Sequence, residues 1–213
     1  YTAHYPVTDP YAHATQTGNY SAVFATTPSV DTDRSCYAGG GKSRVYDHSR
    51  DDHPGHLPIP PQDLIVYELH VQDFTARIAS LDPGLRGTYL GLATPGLTTP
   101  GGLTAGLDHL VELGVTAVEL MPVMEYDEQT GNAPGRLNHW GYMTSNFFAP
   151  ETRYARCPEA DVVELKQLIR ACHERGIAVI LDVVYNHTAE QSPWLNEGRL
   201  AAKYYNFRGL CNT

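Results

Sequence analysis

Three apolar stretches alternate with two segments of helical period, and that order narrows the fold more than any other feature. The stretches are "LIVYELHV" (64–71), "VTAVELMPV" (115–123) and "IAVILDVVYNH" (177–187). Between the first two lies "LTAGLDHLVELG" (103–114), where Leu103, Leu107, Leu110 and Val111 recur at helical spacing and Gly114 supplies a stop. Between the second and third lies "DVVELKQLIRACHERG" (161–176). There Asp161 and Glu164 read as a capping box, Leu165, Leu168, Ile169 and Cys172 form one face, and Gly176 closes the helix. Strand, helix, strand, helix, strand predicts a parallel sheet with crossover helices. The third strand, bounded by apolar residues, predicts burial.

Two segments exceed what such a unit needs. Residues 72–101 and 124–158 each follow a strand and precede a helix, so they belong to the carboxyl end of the sheet. That is where α/β proteins build their sites, and loops of this length in a compact domain are usually functional. Residues 1–62 read as irregular, rich in Pro, Gly, Asp, His and Thr, with "YSAVFA" (20–25) as one short strand.

The net charge of −9 argues against nucleic acid or an anionic membrane as partner. No apolar run is long enough to span a bilayer. The first residues carry no Met, basic region or apolar core, so they read as a cut from something longer, with no signal peptide. Cys36, Cys157, Cys172 and Cys211 show no C-x-x-C pairing, which argues against a metal framework and points to a reducing, cytoplasmic compartment. "AGGGKS" (38–43) lacks the glycine that a phosphate loop needs, since Cys36 stands there. "DHSRDDHPGH" (47–56) fits no metal-ligand spacing and reads as solvated linker.

The chemistry-bearing residues gather in two places. "LNHWGYMTSNFFAPETRYA" (137–155) holds Trp140, Tyr142, Phe147, Phe148 and Tyr154, either a loop packed on its own aromatics or a platform for sugar rings. "DVVYNHT" (182–188) ends the third strand, with Asp182 and Asn186 on one side if the strand is regular and His187 at its mouth. A charge in an apolar strand is costly unless it is paired. Asp182 therefore needs a partner.

These residues carry a resemblance. "DVVYNHT" resembles the first signature region of the alpha-amylase superfamily of glycoside hydrolases. "LIVYELHVQDFT" is similar to the first barrel strand of its debranching branch, the type I pullulanases and isoamylase-type glycogen debranching enzymes. "GVTAVELMPV" resembles the second strand, "NHWGYMTSNFFAPETRYA" the loop before the signature, "KYYNFRGLCNT" the segment after it, and "VTDPYAHA" the junction behind a glycogen-binding β-sandwich. Gln72 stands where that branch usually has Arg, and His139 where it has an aromatic or Asn.

The resemblance implies an α/β fold, a (β/α)8 barrel of which about the first three strands fall in residues 63–213. Residues 1–62 would be the tail of a carbohydrate-binding module and a linker. It implies retaining cleavage of α-1,6-glucosidic branch linkages in glycogen, amylopectin or pullulan. A glucan branching enzyme or other transferase, or a noncatalytic glucan-binding relative, shares the same fold. Retaining hydrolysis uses two carboxylates about 5 Å apart. The family carries its nucleophile, acid/base and stabilising Asp on later strands, so no catalytic residue is expected before Thr213, and the chain alone is expected to be inactive. Tyr142 would stack on the sugar ring, His187 would hydrogen-bond it, and Asp182 and Asn186 would support the site, Asp182 by pairing with an Arg on the fourth strand. No metal or cofactor is expected. The calcium that amylases proper bind at the position of Asn186 is not carried over, because debranching relatives often lack that site.

Overall fold

The computed structural model describes residues 11–16, 42–47, 54–126 and 138–186. Its centre is a parallel sheet of three strands, β3 (Val66–Leu69), β4 (Ala117–Leu120) and β7 (Ala178–Leu181), in the order β3-β4-β7. Ala117 faces Val66 on one side and Ala178 on the other, and the register runs unbroken to Leu120 between Leu69 and Leu181. The predicted order of elements and the parallel pairing are both present.

Among the described residues four α-helices accompany the sheet: α1 (Val71–Thr75), α2 (Tyr89–Ala93), α3 (Gly106–Glu112) and α4 (Asp161–His173). The core lies where α2, α3 and α4 meet one face of the sheet, and Leu92, Leu107, Leu110, Val118, Leu120, Leu168, Cys172 and Ile177 share one apolar cluster there. Leu168 and Cys172 on α4 are fully buried, so the predicted face is the one that packs. Burying a side chain such as Leu168 contributes about 1.5–3 kcal/mol. Gly114 and Gly176 stop α3 and α4 with φ of 80° and 71°, a backbone region that costs glycine no Cβ clash.

Several sequence expectations are corrected by the structure. The first strand ends at Leu69, because His70 caps α1: its Nδ1 accepts the Asp73 N–H at 3.2 Å. The helix predicted from Leu103 is α3 and starts at Gly106, and Leu103 is exposed ahead of it in a turn whose Thr99 and Leu103 bond each other. Asp161 and Glu164 form no capping box. Asp161 pairs with Arg44, and Glu164 accepts the backbone N–H of Arg156 at 2.9 Å. The two long segments are not bare loops. The first holds α1 and α2, and the second holds an antiparallel pair, β5 (Met124–Tyr126) with β6 (Thr144–Pro150).

The third strand is not buried on both sides. Among the described residues only β4 pairs with it, and Leu181 is 40% exposed. The other edge behaves alike: Val66 and Tyr67 on β3 are exposed, whereas Val118 and Leu120 on the central strand are not. An apolar run predicts a strand, but its burial depends on how many neighbours it has.

The irregular reading of residues 1–62 is corrected in part. Two-residue strands β1 (Thr15–Gln16) and β2 (Lys42–Ser43) pair antiparallel. The chain after β2 is fastened to α4: Arg44 forms an ion pair with Asp161 and donates to the Glu159 carbonyl, and the Lys166 ammonium lies 5.2 Å from the Tyr46 ring centre. "YSAVFA", Ala38–Gly41 of "AGGGKS", residues 48–53 of "DHSRDDHPGH", Cys36 and Cys211 lie outside the described residues. Cys172 is a buried free thiol and Cys157 an exposed one.

Candidate active site at the carboxyl end of the sheet

The site is assembled from the ends of β3, β4 and β7. The Asp182 N–H continues the β4–β7 ladder onto the Leu120 carbonyl at 3.0 Å, which fixes the backbone one residue beyond the strand. Its carboxylate accepts a hydrogen bond from the Tyr142 hydroxyl, with Oη to Oδ2 at 2.6 Å. Two residues singled out separately in the sequence, forty positions apart, are thus bonded to each other. Among the described residues the partner that Asp182 requires is this hydroxyl. No described Lys or Arg forms an ion pair with it.

Tyr142 reaches Asp182 because of the residue before it. Gly141 has a φ of 83°, and a Cβ there would lie 3.0 Å from the Tyr126 ring and 3.1 Å from Pro122. The turn is held by the Gly141 N–H, which donates to the Asn138 side chain at 3.2 Å. Gly141→Ala should therefore strain the turn and swing Tyr142 off Asp182. The expected cost is about 1–2 kcal/mol of stability, read from urea unfolding.

The Tyr142 phenol is pushed above its ordinary range, first by burial, then by the hydrogen bond to Asp182 and by the carboxylates of Asp182, Glu68 and Glu119. Raising this pKa keeps the hydroxyl a donor at every physiological pH. Glu68 and Glu119 are register partners on β3 and β4, and the sequence reading missed both. Their signal was available: each is an acid inside an apolar run of the sequence, as Asp182 is.

The other predicted residues divide. The strand ends at Leu181, so the alternation that would put Asn186 beside Asp182 does not extend to it, and Asn186 is exposed. His187 lies outside the described residues. Tyr154 is no part of an exposed platform. It is buried, and its hydroxyl bonds Tyr126 Oη at 3.2 Å and His70 Nε2 at 3.0 Å. Phe148 stacks on Tyr11, Phe147 stacks on Tyr185 at 6.0 Å, and Trp140 is 63% exposed. Most of the loop's aromatics therefore pack on other protein side chains, and Trp140 is the one left largely open to solvent among those described.

A second polar cluster forms between the start of α1 and the turn before Gly141. Asp73 Oδ2 is 2.9 Å from His139 Nε2 and 3.8 Å from His70 Nδ1. Donor atoms of all three residues fall within 4.8 Å of one another. His139 and Gln72, the two departures from the debranching pattern, line one open cleft of about 300 Å³ together with Arg86, Asn138 and Arg153.

The sequence and the fold are similar to those of known proteins. The alpha amylase catalytic domain matches residues 95–207, more than half of the chain. The chain belongs to the alpha-amylase family, in its debranching branch. It is 45% identical over 157 residues to a glycogen operon protein GlgX homolog of Mycobacterium tuberculosis, covering 72% of this chain and 20% of that protein. It is 38% identical over 213 residues to an isoamylase of Pseudomonas sp., covering 96% of this chain and 25% of that one. An Anoxybacillus pullulanase solved with maltotetraose superposes with a TM-score of 0.65 at 35% identity, covering 85% of this chain and 24% of that one. This member of the alpha-amylase family therefore spans about a fifth to a quarter of the length of these relatives. The kinship gives it a barrel-type α/β fold. No helix among the described residues is long and apolar enough to cross a membrane.

Proposed function

We propose that this chain forms the substrate-facing first part of a debranching glycoside hydrolase. The enzyme cleaves α-1,6-glucosidic linkages in glycogen, amylopectin or pullulan with retention. The observation that carries this reading is the Tyr142–Asp182 hydrogen bond at the carboxyl end of a parallel sheet. It holds an aromatic ring half-open beside the strand ends, where (β/α)8 barrels do their chemistry. Relatives named for glycogen metabolism, isoamylase activity and maltooligosaccharide complexes support the same substrate class.

Within this proposal, residues 63–213 contribute the first three barrel strands and residues 1–62 the end of a carbohydrate-binding module with its linker. The exposed apolar edges at Val66, Tyr67 and Leu181 fit strands that expect further neighbours. Tyr142 stacks on the glucosyl ring at the cleavage point and His187 hydrogen-bonds its hydroxyls. Asp182 orients Tyr142, and Asn186 orders the loop behind it. None of these residues is the nucleophile or the acid/base, and neither a metal nor a cofactor enters the hydrolytic step.

Release of reducing ends from pullulan and glycogen by the enzyme carrying this chain tests the reading, and release from linear amylose alone would refute it. His187→Asn separates binding from proton transfer. We expect reduced turnover while a fluorinated glucosyl substrate still traps the covalent intermediate. Loss of trapping in the variant, with trapping intact in the parent, would give His187 a direct catalytic part.

A further inference from the structure

We infer that the open cleft beside α1 binds a phosphate group, either free or as the ester of a sugar. Neither Tyr142 nor Asp182 lines this cleft, and the inference does not depend on the proposed sugar site.

The cleft has a volume of about 300 Å³, at the small end of ligand pockets, and Gln72, Arg86, Gly87, Asn138, His139 and Arg153 contribute to its walls. Two guanidiniums thus face one concavity in a chain whose net charge is −9, one from the loop before α2 and one from the segment before α4. No described acid lines it, and Asp73, which bonds His139 Nε2 at 2.9 Å, is not among the lining residues. A cleft lined by one sign of charge focuses its field and draws in the opposite ion.

The Arg86 guanidinium is held from one side. Its Nε donates to the Leu81 carbonyl and its Nη2 to the Ala79 carbonyl, each at 3.2 Å. Among the described residues no carboxylate pairs with it, and its Nη1 has no acceptor. A half-buried guanidinium fixed in this way is a preorganised receptor, because its planar fork of N–H groups matches the oxygens of a phosphate. Arg153 is oriented by other means. Its Nη2 donates to Gln72 Oε1 at 3.4 Å, and its guanidinium carbon lies 5.4 Å and 5.9 Å from the ring centres of Tyr126 and Tyr154. Gln72 Oε1 takes that bond, so the amide nitrogen of Gln72 is the end left to donate, and it has no acceptor among the described residues. Gly87 makes room for this side chain, since a Cβ there would lie 2.9 Å from Gln72 Cγ. Donors therefore reach the cleft from separate walls: Arg86, Arg153 and Gln72. A carboxylate offers two oxygens in one plane. The oxygens of a phosphate point tetrahedrally, so that one group meets donors on several walls at once.

Calorimetric titration of the protein carrying this chain with inorganic phosphate, glucose 6-phosphate and glucose tests the site. We expect both phosphates to bind at one site per chain and glucose alone not to bind. Added NaCl should weaken the binding, because it screens charges open to solvent. Tighter binding of glucose 6-phosphate than of phosphate would identify the ester as the ligand, and equal binding the free ion. Gln72→Glu keeps the shape of the side chain but places a carboxylate in the cleft, so it should weaken both phosphates by about tenfold or more. Arg86→Gln should do the same by removing the fork, and Arg86→Lys, which keeps the charge without the fork, should fall between. Circular dichroism checks that the variants stay folded. Gln72→Glu leaves both carbonyl bonds of Arg86 in place, so its effect reads charge and not loop structure. Absence of phosphate binding, binding of glucose as tight as that of its phosphate, or an affinity unchanged in Gln72→Glu would overturn the proposal.

Discussion

In the debranching enzyme proposed to carry this chain, Tyr142→Ala should lower kcat/KM on pullulan by about two orders of magnitude or more, a loss of roughly 3 kcal/mol in transition-state stabilisation from stacking and ring positioning. From the sequence, Tyr142→Phe should be far milder, because the ring face is kept. The hydrogen bond changes that expectation. Phenylalanine leaves Asp182 without its hydroxyl donor, and a hydrogen bond to a charged group contributes about 1.5–3 kcal/mol. Both side chains are half-buried, so the lower end applies, and Tyr142→Phe should cost about tenfold in kcat/KM. A double-mutant cycle with Asp182→Asn distinguishes the two contributions. If Tyr142 acts through Asp182, Tyr142→Phe should cost little in the Asp182→Asn background. Equal costs in both backgrounds would show that the 2.6 Å contact does not couple the residues in the working enzyme. Equal kcat/KM for Tyr142→Ala and the parent would remove the ring from the substrate site.

Arg44→Ala should produce the largest change in stability. Asp161 is fully buried at the first turn of α4 and faces the Arg44 guanidinium, while its second oxygen has no hydrogen-bond partner. Removing one member of a buried ion pair costs about 3–5 kcal/mol, because the other charge is left uncompensated. Arg44 is 22% exposed, so about 2–3 kcal/mol is expected at neutral pH. The loss depends on pH with a definite sign. Burial holds the Asp161 pKa above its usual 3.8, outweighing Arg44 and the Val162 N–H, which lower it. Without Arg44 it rises further. The penalty should be greatest above that raised pKa, where Asp161 must ionise in the folded state. It should shrink as pH falls towards 3.8, where the carboxyl takes up its proton in either state. Urea unfolding of the variant and the parent at several pH values measures this difference. A penalty that does not change with pH would mean that the pair holds the β2 segment to α4 by packing and not by charge.

Local pattern determined a definite share of this protein. Apolar runs and 3.6-residue periodicity located the three parallel strands and the two crossover helices. Gly114 and Gly176 marked the helix ends because few other residues tolerate their backbone angles. Asp182 announced itself as a charge in an apolar strand, and Tyr142 through the motif around it. Such signals are legible because each depends only on neighbours within a few residues.

Tertiary structure decided which of those residues meet. Tyr142 and Asp182 are forty positions apart, Asp73 and His139 sixty-six, Arg44 and Asp161 one hundred and seventeen. Each meeting depends on the path of the backbone between them: the β5–β6 pair, the positive φ at Gly141, and the cap that His70 places on α1. Burial was decided in the same way. The sequences of β3, β4 and β7 are all apolar enough to be buried, yet only β4 is flanked on both sides among the described strands of that sheet, and there Ala117, Val118 and Leu120 are all buried. Apolar composition sets what a strand gains from being covered, and the neighbours that the fold brings to it set whether that gain is realised.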